Sequence, residues 1–407
     1  MFKQQLLILS VLIPVIGIAL QIYWNRHLTL PVMIFRCLLN TVIARNKYLG
    51  RLSEMTEKTR SNKKESIFMM GSVMRPHWKD LDLEAKTLNS LVAFAGQSQL
   101  KLDKYGLRKS MEHQALYPPI EAGRNCESIQ VIESLRNSIF VRMKEFNLDK
   151  SKEPKVLFYV HGGGGYGGLA AGLQARGVVE FLNDSRYTHS IKFMLSVNYR
   201  LLGLDENEKK KRDVYAANFE DQLEDCWNAY QWLLKENNFK PQNIVMMGDS
   251  FGPMLIMNLL AKIGANATEQ LPRAAALASG YFDLSGKTLG ENFDEENSIL
   301  VSKNNMELIQ GLYATEKSSY SPIGYDSTVV SSFNATKLLL VYSNHEECTA
   351  DNVKMVQTLQ NGKHPHVQVI AENGHIHGYP LFFYYSPQIR KTMEKMIEFL
   401  DQSQLFN

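Results

Sequence analysis

Gly248-Asp249-Ser250-Phe251-Gly252 joins an apolar run at 243–247, typical of a β-strand, to an apolar run at 254–262, typical of a helix. A serine with glycine two residues before it and two residues after it fits a strand-to-helix turn that is too sharp for side chains at the flanking positions. Such a turn is a nucleophile elbow, which lifts the hydroxyl above the sheet edge and places the amide of Phe251 at a helix N-terminus. The chain has 26 glycines, so the pattern alone arises by chance in roughly one such chain in ten, and the surrounding sequence must decide.

A glycine-rich stretch lies upstream, at His161-Gly162-Gly163-Gly164-Gly165, and follows a strand-like run over 155–160. Four consecutive glycines cost backbone entropy and pack no side chains, so a purely structural loop gains little from them. A loop whose amides must approach a negatively charged oxygen does gain from them. A flexible linker or a phosphate-binding loop is the alternative, but no Lys-Ser or Lys-Thr pair follows, as a phosphate loop requires.

Two histidines lie near the carboxyl terminus, in Gly374-His375-Ile376-His377-Gly378-Tyr379, shortly after a strand-like run over 367–371. A lone histidine is more often a surface or core residue than a general base. A histidine after the last strand, however, is in the position expected for the third member of a catalytic triad whose residues occur along the chain in the order serine, acid, histidine.

These motifs resemble the hormone-sensitive-lipase branch of the α/β-hydrolases, over about residues 150 to 405. The resemblance rests on His-Gly-Gly-Gly, the run Ser196-Val197-Asn198-Tyr199-Arg200-Leu201, Gly-Asp-Ser-x-Gly and the late His-Gly-aromatic triplet, in the family's order. Within this branch, the N-terminal apolar segment makes the chain similar to the fungal steryl acetyl hydrolases and, more distantly, to the arylacetamide deacetylases. Pro253 stands where the family usually has glycine, but proline is tolerated in the first helical turn. Asp249 beside the serine is a family feature to which we assign a structural role.

The resemblance implies an α/β-hydrolase fold: a mostly parallel central sheet flanked by helices, with a helical cap and an N-terminal transmembrane helix. It also implies ester hydrolysis by a serine triad, which needs no metal and no organic cofactor. Ser250 is the expected nucleophile and His377 the expected base, because His377 is followed by Gly378 and an aromatic residue as in the family; His375 is its rival. The oxyanion hole is expected at the backbone amides of Gly163, Gly164 and Phe251. The flanking motif residues are His161, Gly162, Gly248 and Gly252.

The catalytic acid is expected after the strand-like run 338–342, because the family places a carboxylate three residues beyond a small residue at that strand's end. Ser343 is the small residue, which selects Glu346. Glu347 is a serious rival, because it stands thirty residues before the expected base, the separation usual in relatives. Asp351 is favoured less and is interpreted as a first-turn residue of a helix.

Composition limits the class of protein. A length of 407 residues fits one large α/β domain with additions. The net charge is +3 and the basic residues are scattered, so we expect no nucleic-acid partner. The 4 cysteines are Cys37, Cys126, Cys226 and Cys348. They are too few and too scattered for a disulfide scaffold or a zinc site, at most one disulfide is expected, and Cys226 fits the buried face of a helix.

The chain is expected to comprise a short tail at 1–5, a transmembrane signal anchor at 6–24, an N-terminal helical or cap region at 25–150 and a catalytic domain at 151–407. Apolar stretches at 88–94 and 129–146 are interpreted as helices that pack over the core. From residue 155, strand and helix patterns alternate, which predicts βαβ units and a mostly parallel sheet. The predicted strands are 155–160, 191–197, 243–247, 274–277, 338–342 and 367–371, and the predicted helices include 219–235, 254–262 and 386–402. An insertion at about 286–330 breaks the alternation and is expected to join the cap.

The segment from Leu6 to Trp24 carries no charge and has nearly the length that crosses a bilayer as a helix. A cleaved signal peptide is the alternative, but the segment ends in bulky residues and has no small-residue cleavage site. Positive charges follow the segment, which favours a cytosolic domain, although large domains are translocated regardless of such charges. Sequons at Asn183, Asn266 and Asn334 favour a luminal domain that carries glycans. With the resemblance, these features predict a single-pass type II protein of the endoplasmic reticulum membrane with a luminal catalytic domain.

The expected function is that of a membrane-anchored serine esterase that hydrolyses short-acyl esters, above all acetates, of lipophilic alcohols. Steryl acetates are the leading substrate by resemblance, which implies sterol deacetylation or lipid detoxification, with membrane lipid as a partner. An arylacetamide-type deacetylase or a glyceride lipase is the alternative among enzymes. A catalytically silent ligand receptor on the same fold is the alternative outside enzymes, but such receptors lose a triad member, typically the histidine.

Overall fold

The computed structural model describes residue 108 and residues 120–402, except 121, 124, 146–147, 150, 185, 287, 289–302, 315–317 and 385. The expected tail at 1–5, the expected transmembrane anchor at 6–24 and most of the region 25–150 lie outside the described residues. No helix in the described part combines the length and the apolar character that a membrane span requires.

The described residues form a sheet of eight strands in the order β1-β2-β4-β3-β5-β6-β7-β8. The strands are β1 Ser128–Ile132, β2 Ser138–Arg142, β3 Lys155–Val160, β4 Ile191–Val197, β5 Ile244–Asp249, β6 Ala274–Ala278, β7 Lys337–Ser343 and β8 Val367–Glu372. β2 is antiparallel to both of its neighbours, β1 and β4, whereas all other neighbouring strands are parallel. The carboxyl ends of the parallel strands therefore share one edge, where open α/β sheets bind their ligands.

Helices lie on both faces of this sheet. They are α1 Leu173–Leu182, α2 Glu206–Lys209, α3 Phe219–Lys235, α4 Gly252–Asn266, α5 Lys303–Leu312, α6 Ser327–Ser332, α7 Thr349–Asn361 and α8 Pro387–Gln402. Single 3-10 turns occur at Glu133–Leu135, Pro241–Asn243, Thr268–Gln270, Ser318–Tyr320, Pro322–Gly324 and Tyr379–Phe382. A mostly parallel sheet flanked by helices is the fold that the sequence predicts.

Successive side chains of the buried strands point to opposite faces of the sheet, so the core has two layers, one on each face. On β3, Val156 and Phe158 pack into the layer that contains α3, α4 and α7. Leu157 and Tyr159 point the other way, into the layer that contains α1 and α8. Because successive side chains of a strand face opposite sides, a strand buried on both faces reads as one continuous apolar run.

The stretch 129–146 was wrongly predicted to be helical. It forms the antiparallel hairpin of β1 and β2, which lies ahead of the catalytic domain expected to begin at 151 and extends the same sheet. In each strand three of the five residues are β-branched or aromatic, namely Ile129, Val131 and Ile132 in β1 and Ile139, Phe140 and Val141 in β2. These residue types favour extended backbone. Arg136 and Asn137 adopt φ of 56° and 62° between the strands, a conformation that asparagine tolerates better than most residues and that breaks a helix.

The predicted strands at 155–160 and 191–197 and the predicted helix at 219–235 have the observed bounds. β5 runs two residues beyond its predicted end, to Asp249, and α4 begins at Gly252. The strand and the helix therefore approach each other more closely than their apolar patterns alone indicate, and Ser250 lies between them.

Candidate active site

The turn between β5 and α4 presents Ser250. The serine has a φ of 56°, in the left-handed region that costs a residue with a side chain on the order of 1–3 kcal/mol. The amide of Ser250 donates to the oxygen of Ala278 at 2.9 Å, and the amide of Tyr281 donates to the oxygen of Ser250 at 2.8 Å. The chain that follows β6 therefore holds the serine in its strained conformation.

The glycines on either side of Ser250 are required by the close approach of neighbouring backbone. A Cβ atom at Gly252 would overlap the carbonyl oxygen of Val160 at the end of β3. A Cβ atom at Gly248 would lie 2.9 Å from Ile256 Cδ1 and 3.0 Å from the same carbonyl oxygen. The two glycines thus let β3, β5 and α4 meet at the elbow, as the motif predicts.

His377 follows β8 and reaches the serine. Its Nε2 lies 2.8 Å from Ser250 Oγ, so the neutral imidazole can accept the hydroxyl proton. The rival histidine, His375, is engaged elsewhere: its Nε2 lies 3.1 Å from Glu372 Oε2, and its ring stacks on Tyr379 with centroids 4.4 Å apart. Of the two histidines, the structure places His377 at the serine.

Glu346 lies on the other side of the imidazole. Its Oε2 is 3.5 Å from His377 Nδ1, at the outer limit of a hydrogen bond; catalytic contacts of this kind often shorten when substrate binds. The same oxygen accepts a 2.7 Å hydrogen bond from Ser279 Oγ. Ser279 Oγ in turn accepts the amide of Gly378 at 2.9 Å. One hydroxyl therefore ties the acid to the residue that follows His377.

Burial sets the electrostatics of this pair. Burial raises the pKa of Glu346, and repulsion from Glu347 adds to the rise, whereas contacts with His377 and Ser279 oppose it. Burial lowers the pKa of His377, and the Glu346 carboxylate opposes this by stabilising the imidazolium. Burial raises the pKa of the Cys348 thiol to about 12, so this thiol is neutral near pH 7.

The other two acid candidates have different surroundings. Glu347 is buried next to Glu346, but the contact with the imidazole is made by Glu346. Asp351 lies in the first turn of α7, and its Oδ2 accepts the amides of Phe282 at 2.7 Å and Asp283 at 3.0 Å. Burial raises the pKa of Asp351 to about 7, and the charge of Asp283 adds to this. Asp351 therefore fastens α7 to the chain after β6.

The glycine-rich loop follows β3 and lies against the elbow. Gly163 and Gly164 have φ of 107° and 62°, which glycine adopts without steric cost. The amide of Tyr166 donates to the oxygen of Gly163 at 3.2 Å and closes the turn. Within the described part of the chain, the amides of Gly163, Gly164 and Phe251 have no backbone acceptor. These amides are therefore available to a negatively charged oxygen.

Two buried side chains anchor this loop. Asp249 accepts a 2.5 Å hydrogen bond from the hydroxyl of Tyr159, and burial raises the pKa of Asp249 to about 6. Gly162 lies so close that a Cβ atom there would be 2.6 Å from Asp249 Oδ2. His161 Nδ1 donates to the oxygen of Gly162 at 2.8 Å, its ring stacks on Tyr199, and burial lowers the pKa of His161 to about 4. Both residues act as structural supports of the loop.

Apolar side chains surround the elbow and the loop. The ring of Phe251 stacks on Tyr313, with centroids 5.4 Å apart. Ile309 of α5 packs against Gly164, where a Cβ atom would lie 2.9 Å from Ile309 Cδ1. Both Ile309 and Tyr313 come from the predicted insertion at 286–330, so part of that insertion lies beside the serine.

The profile of a protein family described as the alpha/beta hydrolase fold matches residues 157–381, more than half of the chain. The chain belongs to the α/β-hydrolase family. The matched range contains the glycine-rich loop, the elbow, Glu346 and His377. No curated protein matches the sequence.

Solved structures share the fold of this hydrolase at low sequence identity. The crystal structure of a hormone-sensitive lipase from a metagenome library is 15% identical, with a TM-score of 0.60 over 78% of this chain and 98% of that chain. EstE5 soaked with ethyl alcohol is 19% identical, with a TM-score of 0.57 over 79% of this chain and 98% of that chain. Carboxyl esterase 2 from the mycorrhizal fungus Tuber melanosporum is 17% identical, with a TM-score of 0.52 over 66% of this chain and 81% of that chain.

Ser279 is a residue of the hydrolase site that sequence reasoning missed. Like Ser250, it has a positive φ, 49°, and it comes directly after a strand, β6. Its hydroxyl positions Glu346 and Gly378. A small polar residue at the carboxyl end of the strand next to the nucleophile strand is the signal that could have identified it.

The described cysteines Cys126, Cys226 and Cys348 are buried and unbridged, and Cys37 lies outside the described residues. Within the described ranges, no group of three or more His, Cys, Asp or Glu side chains has an arrangement that could hold a metal ion.

A groove of about 460 Å³ lies on the same face as α3 and α4, lined in part by Leu223, Lys262 and Tyr320. Neither Ser250 nor His377 lines it. It is therefore separate from the chemistry of the elbow.

The three sequons differ in how their asparagines are used. Asn183 Nδ2 donates to the oxygen of Val179 at 2.8 Å, and its Oδ1 accepts the amide of Lys144 at 2.8 Å. Asn266 and Asn334 are exposed. A glycan on the Nδ2 of Asn183 would disturb its bond to Val179. The Nδ2 of Asn266 also donates to a backbone oxygen, that of Lys262 at 2.6 Å, but this bond lies at the exposed surface.

Proposed function

We propose that this α/β-hydrolase is a membrane-anchored serine esterase that hydrolyses short-acyl esters, above all acetates, of lipophilic alcohols. The observation that carries the proposal is the 2.8 Å contact between Ser250 Oγ and His377 Nε2. The serine of this contact has the strained φ of an elbow, 56°. A strained serine paired with a buried histidine is costly to maintain and is typical of an activated nucleophile.

In the first half of the reaction, Ser250 Oγ attacks the ester carbonyl carbon while His377 Nε2 takes the hydroxyl proton. The carbonyl oxygen becomes negatively charged, and the amides of Gly163, Gly164 and Phe251 donate to it. Glu346 keeps Nδ1 protonated and stabilises the imidazolium. Collapse of the tetrahedral intermediate expels the alcohol, which receives the proton from His377, and leaves an acyl group on Ser250.

In the second half, His377 takes a proton from a water molecule, and the resulting nucleophile attacks the acyl carbon. The same amides hold the second oxyanion. Its collapse releases the carboxylic acid and returns the proton to Ser250 Oγ. Each proton therefore passes through the imidazole of His377.

The apolar surroundings support the substrate class. Phe251, Ile309 and Tyr313 are buried beside the oxyanion loop, which favours an apolar alcohol over a charged one. The solved structures of related fold include proteins named as esterases and a lipase. Resemblance to the fungal steryl acetyl hydrolases makes steryl acetates the leading substrate, and a membrane anchor suits a substrate that partitions into the bilayer.

The proposal is tested by screening the purified protein with acetate, butyrate and longer acyl esters of a chromogenic alcohol, and then with steryl acetates. We expect the acetate ester and steryl acetate to be cleaved fastest. Preference for long acyl chains indicates a glyceride lipase, and cleavage of aryl acetamides above esters indicates an amide deacetylase. Absence of any hydrolysis, with a folded protein, contradicts an enzymatic role.

The proposed location is the endoplasmic reticulum membrane, with the catalytic domain in the lumen and glycans on Asn266 and Asn334. Exposure of these two asparagines leaves their side chains accessible to glycosylation. We expect the protein to resist carbonate extraction and to shift in gel mobility on endoglycosidase treatment, and the shift to shrink in Asn266→Gln and Asn334→Gln but not in Asn183→Gln. No shift, together with protease sensitivity in intact microsomes, reverses the orientation.

A further inference from the structure

Arg108 is a buried cation for which the triad chemistry has no use. The residue is 5% exposed. Its Nε donates to the carbonyl oxygen of Tyr166 at 2.8 Å, one Nη donates to the oxygen of Leu202, and the other Nη lies 2.7 Å from Glu208 Oε2. The guanidinium also lies 5.0 Å from the centre of the Tyr215 ring. Burying an arginine is costly, and here Nε and both Nη atoms each have a hydrogen-bond acceptor that offsets this cost.

The first of these contacts is made to the glycine-rich loop. The amide of Tyr166 closes the turn on the oxygen of Gly163, and a Cβ atom at Gly164 would lie 2.8 Å from Tyr166 Cε1. The carbonyl that Arg108 holds therefore belongs to the residue that defines the path of Gly163 and Gly164. These are the glycines whose amides are the proposed oxyanion donors.

The other contacts of Arg108 lie on the segment after β4. The amide of Leu202 donates to the oxygen of Gly165 at 2.8 Å. Glu208, on the short helix α2, also accepts the amide of Leu204 at 2.7 Å through the oxygen that pairs with Arg108. One guanidinium therefore joins the glycine-rich loop to the 202–208 segment.

We propose that Arg108 is a positioning residue for the oxyanion hole. By holding the oxygen of Tyr166 against the 202–208 segment, it keeps the amides of Gly163 and Gly164 directed at the developing negative charge. This inference rests on the proposed serine-esterase function. It also gives the chain ahead of the sheet a part in catalysis, through one side chain that does not touch substrate.

The physical reason lies in the composition of the loop. Consecutive glycines have no side chains with which to fix their own conformation, so an outside group must hold the amides in place. A displacement of about 1 Å at a catalytic group costs on the order of a hundred-fold in rate. Lysine can replace the arginine only in part, because it offers a compact charge in place of a planar fork that reaches several acceptors.

The test compares the full chain with its Arg108→Met variant on a chromogenic acetate ester. We expect kcat to fall by about 10- to 100-fold, while KM changes by less than about two-fold. A trifluoromethyl ketone, which forms a tetrahedral oxyanion adduct with the serine, should lose affinity by the same factor as kcat/KM. Arg108→Lys should lie between the two proteins.

Arg136→Met is the matched control. Arg136 also combines an ion pair, to Asp225 Oδ1 at 2.8 Å, with a bond to a carbonyl oxygen, that of Asp213 at 2.7 Å, but none of its hydrogen bonds is to the glycine-rich loop. We expect this variant to keep wild-type kcat and ketone affinity, whatever its thermal stability. If Arg108→Met lowers only the melting temperature and leaves kcat per titrated active site and ketone affinity unchanged, Arg108 has a merely structural role and the inference is overturned.

A second variant covers a failure of Arg108→Met to fold. Glu208→Gln keeps an acceptor for Leu204 and removes the charge that pairs with Arg108, so kcat should fall by about three- to ten-fold at constant KM; an unchanged kcat overturns the inference. An inactive wild-type protein would contradict the proposed function instead. An active wild type with an equally active Arg108→Met contradicts the positioning role alone.

Discussion

The elbow that carries Ser250 and the turn that carries Glu346 both approach the imidazole of His377, but they are built differently. At the elbow, backbone approaches backbone so closely that Gly252 cannot carry a Cβ atom. In the acid turn, Glu346 and Glu347 are chemically alike, adjacent and both buried. Backbone contact restricts residue type, whereas a choice between adjacent carboxylates depends on which side chain faces the histidine.

At the elbow, close backbone contact excludes side chains, so the sequence must have glycine there. At the acid turn, either glutamate satisfies the sequence pattern, and the side-chain direction decides which one faces His377. Substitutions in the two regions should therefore differ both in size and in the property that changes.

Replacement of the nucleophile should have the largest effect. Ser250→Ala is expected to lower kcat on the order of a million-fold, as in other serine triads, because Ser250 Oγ is the hydroxyl that lies at His377 Nε2. The variant should keep its fold, measured by circular dichroism, and should behave like wild type in the carbonate-extraction test of the proposed membrane anchor. Esterase activity at the wild-type level in a folded Ser250→Ala protein excludes the mechanism.

The acid should come next. Glu346→Gln is expected to lower kcat by about ten-thousand-fold, as loss of the triad carboxylate does elsewhere. Glu347→Gln and Asp351→Asn should lose less than about ten-fold, because Glu346 is the carboxylate that lies beside His377 Nδ1. Steady-state kinetics of the three variants decide the assignment. A crippled Glu347→Gln beside an active Glu346→Gln would assign the role to Glu347.

The same variant should change the pH profile. The Glu346 carboxylate raises the pKa of His377 by stabilising the imidazolium, and catalysis needs the neutral imidazole. Removal of the Glu346 charge lowers that pKa, so the acid limb of residual kcat/KM should move to lower pH. An acid limb that stays in place shows that Glu346 does not act on His377.

The sequence predicts the fold and the nucleophile better than the acid, for physical reasons. A doubly buried strand such as β3 is apolar along most of its length, from Val156 to Val160, so its extent follows largely from composition. Ser250 follows from flanking glycines that steric contact requires. The choice of Glu346 depends on Ser279, which is distant in sequence, and the hairpin at 129–146 was misread because its turn residues were not weighed.

Two glycine substitutions compare steric exclusion with backbone strain. Gly252→Ala places a methyl group on the oxygen of Val160, so the elbow must shift and kcat should fall by about 100-fold or more. At Gly378, an added Cβ atom would have no neighbour within 4 Å, but the residue has a φ of 66°. Gly378→Ala should therefore lower the free energy of unfolding by about 1–2 kcal/mol and change kcat little. Paired measurements of kcat and thermal unfolding test this. Similar kcat losses in both variants contradict the distinction.

The smallest expected effect concerns Asp351. Burial raises its folded pKa to about 7 from 3.8, so the folded state binds the extra proton and loses stability as pH rises from about 4 through 7. Asp351→Asn cannot ionise and should gain relative to wild type on going from pH 5 to pH 8, by at least about 2–4 °C in melting temperature. If the melting temperatures of the variant and the wild type differ by the same amount at pH 5 and pH 8, the carboxylate of Asp351 does not titrate between these pH values.

Covalent trapping tests the central claim most directly. The protein is treated with a fluorophosphonate, which reacts with activated serines, and the modified peptide is sequenced by mass spectrometry. We predict one adduct per chain, on Ser250 in the peptide that joins β5 to α4, formed at a rate that parallels loss of esterase activity and absent from His377→Ala. Full inactivation with the adduct on another residue, or hydrolysis that persists after Ser250 is fully modified, would contradict Ser250 as the nucleophile.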